Sequence, residues 1–128
     1  MSPADIYNLI RKKRIIAIVR GYSPAQILNI ANALSQGGIE LLEVTCNTPD
    51  VANIIETLTK ETTGKMTIGA GTVINKDLCR KVIAAGAKYI IAPDVNPEVI
   101  NHCTENNTAV LPGAATPTEV LTAARAGA

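Results

Sequence analysis

Apolar residues recur along the chain with two different periods, and the two periods alternate. Pro3 to Lys13 reads as a helix, with Ser2 as N-cap, Pro3 at the first helical position and Asp5 in the first turn. Ile15-Ile16-Ala17-Ile18-Val19 is a short, continuous apolar run, the pattern of a strand covered on both faces of a parallel sheet. Ser23-Pro24 then opens a helix whose Ile27, Ile30, Ala31 and Leu34 make one stripe at three-and-four spacing, and Gly37-Gly38 closes it. The same unit follows again, with a strand from Ile39 to Thr45. Thr48-Pro49-Asp50 starts the next helix, which carries Val51, Ile54, Ile55 and Leu58 on one side. Met66 to Ala70 is a third strand, with a helix from Asn75 to Ala85 whose Leu78 and Val82 face inward. Lys88 to Ala92 and Thr108 to Leu111 are the fourth and fifth strands. Their helices run from Asn96 to Asn106, with Val99, Ile100 and Cys103 packed, and from Thr116 to Ala126.

Five strand–helix units with no hairpin signal between strands predict an all-parallel sheet with helices outside it. A doubly wound nucleotide-binding sheet prefers G-x-G-x-x-G after its first strand. Arg20-Gly21-Tyr22-Ser23-Pro24 departs from that pattern, and Gly69-Ala70-Gly71-Thr72 after the third strand lacks its remainder. The expected fold is therefore a (β/α)₈ TIM barrel, of which residues 1–128 supply an N-terminal helix and five βα units as a single partial domain. Such a barrel takes roughly 200 residues or more, so strands six to eight are expected beyond this stretch.

Composition narrows the chemistry. The residues are 47% hydrophobic with three Tyr and no Phe or Trp, which makes the core aliphatic. A formal net charge of +1 gives no general attraction for polyanions, and Tyr7, Tyr22 and Tyr89 are scattered without an interleaved basic patch, so nucleic acid is not an expected partner. Cys46, Cys79 and Cys103 are odd in number and widely spaced, with only His102 as companion; neither a disulfide framework nor a zinc site is encoded. Cys46 reads as a small hydrophobe and His102 as a surface residue of an outer helix. Arg11-Lys12-Lys13-Arg14 interrupts any apolar leader, and no apolar run reaches membrane-spanning length. The expectation is a cytoplasmic protein without a membrane partner.

Ile16-Ala17-Ile18-Val19-Arg20-Gly21, Leu42-Glu43-Val44-Thr45, Ile68-Gly69-Ala70-Gly71-Thr72-Val73, Ala92-Pro93 and Leu111-Pro112-Gly113-Ala114-Ala115-Thr116-Pro117-Thr118-Glu119 follow one another in an order and spacing that resembles the 2-keto-3-deoxy-6-phosphogluconate (KDPG/KHG) aldolase family. The resemblance runs over the whole chain. It implies a class I aldolase on a (β/α)₈ barrel, usually a homotrimer, without metal or other cofactor. Its substrate would be a phosphorylated 2-keto-3-deoxy sugar acid, cleaved to pyruvate and glyceraldehyde 3-phosphate through a lysine Schiff base.

The resemblance places the catalytic carboxylate at Glu43, and alternation agrees that Leu41, Glu43 and Thr45 share one strand face. A carboxyl among Leu and Val near the C-terminal mouth of a barrel is desolvated, which raises its pKa toward the range useful for general acid–base work. The resemblance makes Arg20 an anion contact, for which a guanidinium offers two parallel hydrogen bonds. Its other reading is a partner for Glu43 or a surface residue. Thr72 matches a substrate-contacting threonine, and Pro93 occupies an equivalent turn in the pocket wall. The glycines beside Thr72 have two readings, close approach to a ligand or relief of crowding inside the barrel. Glu40, near the strand's start, is expected to be solvated.

Two features depart from the family pattern. Asn47 stands where some members carry an arginine, and the Schiff-base lysine belongs to a sixth strand, beyond Ala126-Gly127-Ala128. Lys76 is the one lysine near the mouth, and a solvated lysine with a pKa near ~10 is a poor nucleophile. This segment alone is therefore expected to be inactive. Two other expectations compete with the aldolase: a non-catalytic half-barrel that assembles with itself or a partner, and another barrel enzyme acting on phosphorylated acids.

Overall fold

The computed structural model describes residues 1–128 as six helices and five strands. In chain order these are α1 (Pro3–Lys13), β1 (Ala17–Val19), α2 (Pro24–Gln36), β2 (Leu41–Thr45), α3 (Val51–Glu61), β3 (Thr67–Gly71), α4 (Lys76–Ala84), β4 (Tyr89–Ala92), α5 (Pro97–Glu105), β5 (Ala109–Pro112) and α6 (Pro117–Ala126). The helix starts follow from local chemistry. Ser2 with Asp5, Ser23 with Gln26 and Thr116 with Glu119 each form a capping box, and each is followed by a proline in the first turn.

All strands are parallel in one sheet of order β1-β2-β3-β4-β5. Crossovers between parallel strands are right-handed, so an order that never reverses puts every connecting helix on the same face. A doubly wound sheet reverses and carries helices on both. The apolar contacts agree with barrel winding. Leu42, Val44, Ile68, Ala70 and Ile90 meet α2 to α6 in one large cluster. Leu41, Tyr89 and Ala109 face the other way and meet Ile6 and its neighbours on α1, with Ile16, Ile91 and Leu111 beside them. The opening helix thus lies alone on the inner face, where the Tyr7 hydroxyl donates to the Val110 carbonyl and accepts from the Val110 N–H, each at 3.2 Å.

Three local expectations are corrected. Ile15 and Ile16 lie outside β1, whose ladder begins only at Ala17 opposite Leu42, and Ile18 is 61% exposed because it points to the inner face, where nothing in residues 1–128 covers it. Coverage on both faces holds instead for β2, where all five residues are buried. Glu40 is half-buried in an ion pair with Lys13 that ties α1 to the start of β2. Thr48 does not start a helix: α3 begins after Asp50, whose φ is +58° and whose side chain makes no capping bond, while Thr48 is buried.

The register aligns Ile18, Glu43 and Gly69 across β1 to β3 on the inner face, and Tyr89 with Ala109 across β4 and β5. Tyr89 precedes Ile90, which pairs with Ala70, so Tyr89 lies beside Gly69. Its ring lies over that glycine: a Cβ on Gly69 would stand 2.2 Å from Tyr89 Cε2. Gly69→Ala is expected to lower stability by about 1–3 kcal/mol through overpacking. Urea denaturation checks this, and a midpoint equal to wild type would contradict the packing of Tyr89 on Gly69.

Candidate active site

Glu43 sits in the middle of β2, and because alternate residues share a face it projects inward with Leu41, while Leu42 and Val44 pack outward. Its residue is only 4% exposed. The carboxylate lies against Gly71 of the neighbouring strand, since a Cβ there would fall 1.5 Å from Glu43 Oε1. Burial pushes the Glu43 pKa above the ordinary carboxylate value, and the Arg20 charge pulls partly against it. A buried acid whose hold on its proton is strengthened in this way is suited to take up a proton and return it.

Arg20 stands just past the end of β1, exposed, and makes no ion pair with Glu43; its influence on the acid is through charge alone. Its loop is tethered by a chain of threonines. Thr45 Oγ1 lies 3.3 Å from Thr48 Oγ1, which accepts the Gly21 N–H at 3.1 Å. Thr48, which the sequence pattern assigned to a helix start, is therefore the residue that fixes the turn carrying Arg20. An N-cap and a turn tether use the same residue type, so only the fold tells them apart.

Thr72 directly follows Gly71, half-buried, with φ +56°. A β-branched residue in the left-handed region is strained by about 1 kcal/mol or more, and such strain concentrates where a backbone is aimed for a purpose. Pro93 is exposed at the end of β4. A Cβ on Gly113 would lie 2.4 Å from the Pro93 carbonyl oxygen, and the Gly113 N–H donates to Ala92 O at 2.9 Å, so the turns after β4 and β5 meet backbone to backbone. Glu43 and Thr72 are thus joined through Gly71, Arg20 reaches Glu43 through its charge, and Pro93 stands at the next strand end.

Of the two readings of Gly69 and Gly71, relief of crowding is the one realised, because protein side chains cover both. Asn47 is exposed, and Lys76 is exposed at the start of α4. Burial pushes the Cys46 thiol up to about 11, which keeps it protonated at neutral pH. No three His, Cys, Asp or Glu side chains converge on one point, and no helix is long and apolar enough to cross a membrane. Two hollows of about 270 and 280 Å³ are lined by Met1, Gly64, Met66 and Thr67 among others, at the opposite end of the strands from Thr72 and Pro93.

Non-reversing parallel winding, with helices outside and a buried acid inside, defines the first five units of a TIM-barrel fold. The chain matches the family model "KDPG and KHG aldolase" over residues 6–128 and belongs to that family. A probable 2-dehydro-3-deoxy-6-phosphogalactonate aldolase of Rhizobium meliloti is 35% identical over 117 residues, 91% of this chain and 55% of that protein. The crystal structure of the Zymomonas mobilis ZM4 2-keto-3-deoxy-6-phosphogluconate aldolase with 3-phosphoglycerate superposes with a TM-score of 0.88 at 27% identity, over 98% of this chain and 59% of that one. That of the Legionella pneumophila KDPG aldolase, with pyruvate captured as a covalent carbinolamine, gives 0.82 at 32% identity, over 88% and 54%. The chain spans about half the length of the curated relatives it matches.

The Glu43 environment has a signed consequence. Below the ordinary carboxylate pKa, Glu43 is protonated in folded and unfolded chains alike. As pH rises through its higher folded value, the unfolded chain ionises first and folding loses stability. Glu43→Gln is therefore expected to raise the urea midpoint at pH 7 more than at pH 4, and an equal gain at both would contradict a strained buried acid. Arg20→Gln is expected to move the Glu43 titration further upward, as read by carboxyl ¹³C NMR.

Proposed function

We propose that this chain supplies the first five βα units of a class I aldolase that reversibly cleaves a 2-keto-3-deoxy-6-phospho sugar acid to pyruvate and glyceraldehyde 3-phosphate. The observation that carries the reading is Glu43, a single carboxylate buried on the inner face with a raised pKa, in a member of the KDPG and KHG aldolase family. The carbinolamine trapped in the Legionella relative is the adduct that precedes a Schiff base, which supports amine rather than metal chemistry here.

In this reading a lysine from a sixth strand, beyond residue 128, adds to the C2 carbonyl and loses water to form a protonated imine. The C3–C4 bond breaks, and its electron pair flows toward the iminium nitrogen to leave an enamine. Glu43 accepts the C4 hydroxyl proton as that carbon becomes the aldehyde of glyceraldehyde 3-phosphate. It then returns a proton to C3, and water hydrolyses the imine to free pyruvate and the lysine. Arg20 holds an anionic group of the substrate, and with Asn47 neutral it is the cation placed to do so. Thr72 and Pro93 form part of the pocket rim. The working enzyme is a cytoplasmic homotrimer that needs no cofactor.

Glu43→Gln in the full-length enzyme is expected to lower turnover about 100-fold or more while the protein stays folded. Turnover near wild type would remove Glu43 from the mechanism. Borohydride with pyruvate is expected to label the full-length protein covalently and to leave residues 1–128 alone unlabelled; a label mapped to Lys76 would replace the nucleophile.

A further inference from the structure

Tyr89 is the largest fully buried side chain, and its hydroxyl has no hydrogen-bond partner. A buried unpaired hydroxyl costs about 1–3 kcal/mol, and phenylalanine would fill the same space without that cost. The ring comes from β4 and lies over Gly69 of β3. Gly69 is the register partner of Glu43, so the Tyr89 ring and the acid come from the two strands that flank β3 and meet over its two inner-face glycines. The Glu43 carboxylate, resting on Gly71 one step further along the same face, also takes no hydrogen bond from the protein. Two unpartnered polar groups, one a donor and one an acceptor, therefore share one patch of an otherwise apolar interior.

We propose that Tyr89 is a positioning residue for Glu43: its phenol donates to a water molecule that in turn donates to the Glu43 carboxylate, so that the acid is held over Gly71 in its proton-accepting state. The inference rests on the acid–base reading of Glu43 and adds the group that tunes it. Within residues 1–128 the charged and titratable groups around Glu43 are Arg20 from the end of β1, Cys46 at the end of β2 and Tyr89 from β4, while β3 contributes only glycine there; in the full-length enzyme the sixth-strand lysine of the proposed mechanism joins them. Burial and the Glu43 charge both push the Tyr89 pKa upward, so the phenol keeps its proton and serves as a donor throughout the working pH range. Because Tyr89 Oη has no direct partner, a water is the link through which the phenol would reach the acid. Donation to the ionised carboxylate favours that form and lowers its proton affinity.

The test is Tyr89→Phe in the full-length protein, which keeps the ring on Gly69. Glu43 is titrated by carboxyl ¹³C NMR, alongside the pH profile of kcat on a 2-keto-3-deoxy-6-phospho sugar acid. The Glu43 pKa is expected to rise by about half a unit or more. The acidic limb of the kcat profile should move with it, and kcat should fall more than KM changes. An unmoved Glu43 titration would overturn the proposal and leave Tyr89 as a filler of the barrel. Uniform 3-fluorotyrosine, which makes the phenol a stronger donor without removing it, is expected to shift the Glu43 pKa the opposite way, and this arm decides the matter if Tyr89→Phe fails to fold. Failure of the aldolase reading has a different signature: undiminished turnover in Glu43→Gln, with the Tyr89-dependent shift of the Glu43 titration intact.

Discussion

Two missing Cβ atoms govern the inside of this sheet. Gly69 and Gly71 leave the inner face of β3 bare, and the side chains of the strands on either side fold over it, Tyr89 from β4 and Glu43 from β2. Any side chain on β3 at these positions would contest space with a ring or a carboxylate already there. The interior is thereby filled by residues that reach sideways, and the same two glycines that let the sheet pack also decide where the acid rests.

The cost of that arrangement is electrostatic. A carboxylate removed from water favours its proton, and the only compensation on this face is the charge of Arg20, held at the strand end by a turn that Thr48 fastens. The outer face has no such conflict. It is aliphatic from Leu42 to Val110 and meets five helices, so the larger core lies on one side of the sheet and the buried acid on the other. That division of labour is characteristic of barrel enzymes, in which packing and reactivity seldom compete for the same residues.

Much of this is legible in the sequence itself. Ser2, Ser23 and Thr116 announce their helices because a capping box is a contact over three residues, and Val51, Ile54, Ile55 and Leu58 declare their face by period alone. Glu43 was visible through alternation within a five-residue strand together with the family motif around it. What escaped depends on neighbours distant in sequence. The start of β1 at Ala17 reflects where its ladder meets β2, and the tether from Thr48 closes on Gly21 across 27 positions. The importance of Tyr89 arises only when β4 is laid beside β3. Composition listed it as one scattered tyrosine, whereas register makes it the cover of Gly69.

The clasp between Tyr7 and Val110 bears on how the sheet can grow. In a parallel ladder the N–H and C=O of one residue turn to the same neighbour, so a Val110 whose two groups both meet a phenol is not sharing them with β4. Pro112, the next residue but one, has no N–H to offer. On the side of β5 away from β4, neither of these positions therefore offers a free backbone N–H: that of Val110 is taken by the phenol and Pro112 has none. The phenol thus takes the hydrogen-bonding place of a strand neighbour at Val110, and the opening helix is joined to the sheet through backbone 103 positions away in sequence.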